Sequence, residues 1–301
     1  MTSRKTKWFD TPSSGFGYAS RFYLKVFQSL QQEESLALDA NLPPMKTSWF
    51  LDEDKYQSWM DLVDYDGGAP QAFTFSAPAG VWALMQVLKE IGISFSRIMH
   101  MSSRLLMLNK EGFSQNQHYS TYVHYLGATP HSKRAVLIRF QSVVKDITGR
   151  DIMTLEDELY VAGLDEEFVK SLAIDTQAQK RRPSKSQLMN NAMADRMELP
   201  IAKSMGQKYG KLSGDLNPLH ISSIGARLFG HKTSFVQGLC TLNLIIAALG
   251  KHWKGSIRSM EINFIRPVAQ PSTPILICTL DQFELVDKDG NLLVSGHYIY
   301  G

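Results

Sequence analysis

Gly238 to Gly250 reads GLCTLNLIIAALG. Leu239, Leu242, Leu244, Ile245, Ile246, Ala247, Ala248 and Leu249 make it too long and too apolar for a surface strand. It is also shorter than the roughly 18–20 apolar residues needed to span a bilayer. The stretch therefore reads as a buried helix. Three strand-like runs follow, Ser256–Arg266, Pro274–Val286 and Asn291–Tyr300. Asp287-Lys288-Asp289-Gly290 supplies a hairpin turn between the last two. A helix laid against antiparallel strands places this part of the chain in the α+β class.

The same order recurs upstream. Val81–Ile91 reads as a helix bounded by Gly80 and Gly92. Strand-like runs follow at Arg97–Leu108, Tyr119–Leu126, Arg134–Val144 and Met153–Val161, with Thr148–Asp151 as a turn. Helix followed by strands, met twice, points to a degenerate internal duplication. The segment Gln177–Asn191 is polar and basic and contains Pro183, so it reads as an exposed connector. The organisation that results is a helical extension over 1–60, rich in Gln and Glu around Phe22–Leu38. A first domain follows over 61–176, a linker over 177–198 and a second domain over 199–301.

Chemistry concentrates just before the buried helix. Tyr209–Ala226 reads YGKLSGDLNPLHISSIGA, with Leu199–Leu212 expected to be a strand leading into it. Gly214-Asp215 and Asn217-Pro218 are turn signals, so Asp215 and His220 are expected on an ordered loop that can aim an acid and a base at one point. Free Asp and His side chains titrate near 3.9 and 6.5, which leaves the carboxylate ionised and the imidazole available near neutral pH. Asn217 can fix a water or brace the loop through its amide. If the helix begins at Gly238, its free amides and its dipole face the place where oxyanion charge develops. A glycine there also lets a substrate approach the backbone closely.

The motif run Tyr209, Leu212, Ser213-Gly214-Asp215, Asn217-Pro218-Leu219-His220 and Ala226 resembles the MaoC-like (R)-specific enoyl-CoA hydratases, the hydratase 2 family. The likeness continues through Gly238-Leu239 and Phe264-Ile265-Arg266-Pro267-Val268, and it is strong over the last third of the chain. It implies a double hotdog, two antiparallel sheets each wrapped on a central helix, in tandem in one chain. It implies reversible hydration of trans-2-enoyl thioesters to (3R)-3-hydroxyacyl thioesters, with Asp215 and His220 as the catalytic pair and Gly238 at the oxyanion hole. The first hotdog, which lacks the motif, would form a wall of the acyl pocket. The reaction calls for no metal and no organic cofactor; coenzyme A or acyl carrier protein carries the substrate. Two positions depart from the family pattern: Ser222 where an acidic residue is frequent, and Gln237 where His is frequent. Both bear on how the catalytic pair is oriented.

Other readings stay in view. A (3R)-hydroxyacyl-carrier-protein dehydratase would need a basic docking face, for which Lys180–Arg182, Lys133-Arg134 and Lys251–Lys254 are available. A non-catalytic acyl-thioester binding protein would have no need of the acid/base pair. Cys240 lies in an apolar run and reads as core, as does much of the Met-rich stretch Met85, Met99, Met101 and Met107, which could also line an acyl tunnel. Ser213, Asp215 and His220 are too crowded for a triad, and no GxSxG elbow occurs. His118, His124 and His131 lack metal-ligand spacing.

Composition sets the outer bounds. With 301 residues, 44% hydrophobic and 20% charged, the chain has the make-up of a globular protein of one large or two medium domains. A net charge of +3 gives no electrostatic case for nucleic acid, though it suits an anionic carrier. Two cysteines are no disulfide framework. The amino-terminal MTSRKTKWFDTPSSG lacks a signal-peptide core, and no run is long enough for a membrane span, so a cytoplasmic protein is expected. Pairing of two such chains into a homodimer of double hotdogs is compatible with this reading.

Overall fold

The computed structural model describes residues 7–9, 36–38, 41–64, 77–93, 98–172, 185–228 and 230–300. The strands are β1 (Lys7–Phe9), β2 (Met45–Leu51), β3 (Ile98–Met107), β4 (Gln117–Ser132), β5 (Ala135–Asp146), β6 (Asp151–Ala162), β7 (Asp195–Glu198), β8 (Ile257–Phe264), β9 (Ile275–Cys278), β10 (Gln282–Val286) and β11 (Leu292–Tyr300). The helices are α1 (Glu53–Val63), α2 (Ala77–Glu90), α3 (Glu166–Ser171), α4 (Met205–Ser213), α5 (Pro218–Ile221), α6 (Ser223–Leu228) and α7 (Gly238–Trp253).

α7 is the apolar segment with which the sequence reading began. Cys240, Leu242, Ile245, Ile246 and Leu249 are all buried, and they pack with Met260 and Ile262 of β8, Phe283 and Leu285 of β10, and Val294 and Tyr298 of β11. Each fully buried Leu or Ile contributes about 1.5–3 kcal/mol, so this helix is the main organiser of its half. α2 plays the same part upstream. Its Ala83, Val87 and Leu88, with Ile91 just beyond its end, pack with Val123 of β4, Ile138 and Phe140 of β5, and Leu159 and Val161 of β6. The helix-then-sheet order is therefore repeated, as expected.

The two halves share one sheet rather than carrying two. Its order among the described residues is β1-β2-β4-β5-β6-β3-β8-β11-β10-β9-β7. The junction is the antiparallel pairing of β3 with β8, running from Ser102 opposite Asn263 to Leu106 opposite Ser259. That seam brings β3 of the first half beside the elements that surround α7. It is the reason residues of both halves can meet at one site.

Several expectations need correction. Leu199–Leu212 is not a strand: α4 occupies Met205–Ser213, and only Ile201 makes an isolated bridge, to Ser272. Met205, Tyr209 and Ser213 are buried at a spacing of four, which fits a helix face and not an alternating strand. Residues 1–60 are not simply helical. β2 alternates with Met45, Thr47, Trp49 and Leu51 buried, and it pairs with β4 inside the sheet. Most of Phe22–Leu38 lies outside the described residues. Pro274–Val286 divides into β9 and β10. Residues 185–198, read as linker, are docked on the second half. Glu284 accepts hydrogen bonds from Ser186 Oγ and from the backbone N–H groups of Gln187 (3.1 Å) and Leu188 (3.0 Å), and β7 pairs with β9.

Candidate active site

The motif loop starts where α4 stops. Gly214 takes the left-handed conformation at φ 76°, and its N–H donates to Gly210 O at 2.9 Å. A residue with a side chain would be strained there, which accounts for the glycine before Asp215. The Asp215 N–H donates to Ser213 Oγ (3.2 Å), and the Asp215 carboxylate accepts from the Asn217 N–H (3.2 Å). Asn217 caps α5: its Oδ1 accepts from the Leu219 N–H at 3.1 Å, with Pro218 at the first helical position. Bracing, one of the two uses foreseen for Asn217, is served by its Oδ1. His220 therefore sits on a single helical turn, where an ordered loop was expected. Ser222 Oγ accepts from the Gly225 N–H (3.2 Å), so this position stabilises the start of the next helix.

The orientation of His220 follows from one bond. Its Nδ1 lies 2.9 Å from Phe235 O, and its ring meets Phe235 edge to face at 4.9 Å. A carbonyl only accepts, so Nδ1 carries the proton and Nε2 is left as the basic nitrogen of the neutral ring. Burial pushes the His220 imidazole below its ordinary value; the Asp215 charge and the Phe235 carbonyl act in the opposite direction, and His231 adds to the lowering. The environment thus favours a neutral ring, the form in which it can take a proton.

Two buried amides hold the backbones of this pair. Gln237 Nε2 donates to Gly206 O (3.0 Å) and to Asp215 O (3.1 Å). Gln270 Nε2 donates to His220 O, while Gln270 Oε1 accepts from the Gly206 N–H (2.7 Å). Both ties converge on Gly206, where a Cβ would fall 2.3 Å from His220 O. The departure at Gln237 therefore leaves Asp215 anchored through its backbone. No side chain caps α7.

Asp215, Asn217, His220 and Gly238 all line one cavity of about 420 Å³. The first half supplies the other wall through Leu84, Ile98, Met99, Met101 and Leu159. Met85 and Met107 are instead buried, Met107 within the core around α7. Cys240 is fully buried and its thiol is pushed far up by burial, so it is neutral core. Ser213 is buried and accepts from the Asp215 N–H. The His118 ring lies tilted against Phe50 and that of His131 meets Tyr160 edge to face, and neither residue lines the cavity. Lys180–Arg182 lie outside the described residues. Sequence reasoning missed His100, Asp157 and His231, all of which line the cavity. Bulge-dependent pairing hid the first two. Among the described residues, no helix is long and apolar enough to cross a membrane.

Residues 185–287 match the sequence profile of the MaoC-like domain. The 3-hydroxyacyl-thioester dehydratase X of Mycobacterium tuberculosis is 31% identical over 75 residues, 25% of this chain and 26% of that protein. The match thus spans about a quarter of that relative's length. The crystal structure of a MaoC-like dehydratase from Phytophthora capsici superposes with a TM-score of 0.65 at 18% identity, covering 88% of this chain and 99% of that one. A conserved hypothetical protein of Mycobacterium tuberculosis described as having a double hotdog fold gives 0.55 at 11% identity, covering 88% and 98%. The architecture is a double hotdog. The family likeness lies within residues 185–287, in the second half of the chain.

Proposed function

We propose that the protein hydrates trans-2-enoyl thioesters reversibly to (3R)-3-hydroxyacyl thioesters. One observation carries the reading: a base nitrogen on His220, the Asp215 carboxylate and the uncapped start of α7 face the same cavity. In the forward direction His220 Nε2 takes a proton from water as the water oxygen bonds to Cβ. The alkene electron pair moves toward the thioester oxygen, where the first amides of α7 stabilise the developing charge. Asp215 holds the water and balances the imidazolium. The proton taken from water then passes from the His220–Asp215 pair to Cα, which restores the neutral imidazole and completes the addition of water across the double bond. The apolar wall from the first half, Leu84 to Leu159, suits an acyl chain.

Purified protein with trans-2-butenoyl-CoA tests the reading, the product being resolved by chiral chromatography. The (3R) alcohol is expected, with Asp215→Asn and His220→Ala each losing about 10²–10⁴-fold in turnover. The same assay with the acyl-carrier-protein thioester compares the two carriers. Tight thioester binding without turnover, unchanged in His220→Ala, would replace the hydratase with a binding protein.

A further inference from the structure

A second imidazole and a second carboxylate face the cavity from the first half. His100 Nε2 lies 3.0 Å from Asp157 Oδ1 and 2.9 Å from Ser103 Oγ, and Ser103 Oγ donates to Asp157 Oδ1 at 2.6 Å. Ser103 is opposite Asp157 in the β3–β6 register. His100, three residues before Ser103, would point to the other face of an unbroken strand. A register shift between His100 and Ser102 inserts one residue and returns the ring to the side of Asp157. Bulges of this kind re-aim side chains beside active sites.

The carboxylate accepts from Nε2, so Nε2 carries a proton and Nδ1 is the remaining nitrogen. It makes no hydrogen bond to any described residue. It stands at the head of α7: a Cβ on Gly238 would lie 2.7 Å from Nδ1, and the ring packs on Phe264 at 4.7 Å. The glycine at 238 thus makes room for this ring as well as for a substrate.

We propose that His100 is a catalytic residue that donates a hydrogen bond from Nδ1 to the thioester oxygen, beside the first amides of α7. The proposal rests on the reading of the cavity as a thioester site. The imidazolium is the donating form, since Nδ1 of the neutral Nε2–H ring only accepts.

Two variants separate this role from a structural one. Gln at position 100 reaches as far as Nε2 and can keep the bonds to Asp157 and Ser103, but it has nothing at Nδ1. Asn carries an amide nitrogen at the distance of Nδ1. With trans-2-butenoyl-CoA, His100→Gln is expected to lose about 10²-fold in kcat with KM nearly unchanged. His100→Asn is expected to recover most of that loss. The carbonyl stretch of ¹³C1-labelled butenoyl-CoA bound in an Asp215→Asn background gives a readout that needs no turnover. A red shift lost in His100→Gln and kept in His100→Asn supports the bond, even if the wild type proves to be no hydratase. An unchanged stretch in His100→Gln, or equal losses of kcat in both variants, would overturn it.

Discussion

The cavity has two acid–imidazole pairs, and they are built in opposite ways. Asp215 and His220 lie five residues apart, and their loop is shaped by the Gly214 turn, the Asn217 cap and Pro218. His100 and Asp157 lie 57 residues apart and meet through strand register plus one inserted residue. The first pair is aimed by local turn chemistry, the second by the sheet. The nitrogens presented differ too. Phe235 O holds Nδ1 of His220 and leaves Nε2, whereas Asp157 holds Nε2 of His100 and leaves Nδ1. A neutral His220 is a base; His100, held by a carboxylate, is arranged to donate. In the proposed reaction one half brings the proton acceptor and the other the hydrogen-bond donor to the thioester oxygen.

The largest expected effects test that division. His220→Ala should cost about 10³-fold in hydration and His100→Gln about 10²-fold. A loss in His100→Gln as large as in His220→Ala would erase the ranking of the two pairs. Acid pH sharpens it. The His220 imidazole is held below its ordinary value by burial, so activity should persist below about pH 6.5 and fail only as pH drops through that depressed value. Stability follows the same sign. The unfolded ring takes its proton first, so folding free energy is lost from about pH 6.5 down to the depressed value. His220→Ala should remove that loss in thermal unfolding measured against pH, and His100→Gln should leave the acid limb of activity where it is.

Gly238→Ala comes next. Its methyl group would meet the His100 ring and Phe264 Cζ, at 2.7 and 3.2 Å. We expect about a tenfold or larger drop in kcat, with stability moved by less than about 1 kcal/mol because alanine favours the helix. A variant as active as wild type would show that the ring need not stand there. The smallest effect on rate is expected from Gln237→Leu, which leaves Gly206 O and Asp215 O without that donor. It should lower stability by about 1–3 kcal/mol in denaturant unfolding and slow turnover only several-fold.

Much of this was legible in the chain. The burial of α7 follows from its composition, and the strands around it alternate visibly. The chemistry of Asp215, Asn217 and His220 is written into six residues, because turns and caps are made by neighbours. Where the reading slipped, a local pattern was ambiguous. In Leu199–Leu212 the burial of Met205, Tyr209 and Ser213 follows a helical period, and β2 was hidden in a segment read as helical.

What the sequence by itself determined is therefore the second half's helix, most of its strands and the loop that bears its acid and base. Only the tertiary structure decided that β3 pairs with β8 and fuses the halves, and that His100 faces Gly238. Only it decided that Gln237 and Gln270 hold the backbones of Asp215 and His220, from 22 and 50 residues away. The reason is physical: a turn depends on the few residues that make it, whereas a register is selected by the burial of a whole strand face, which no short stretch of sequence contains.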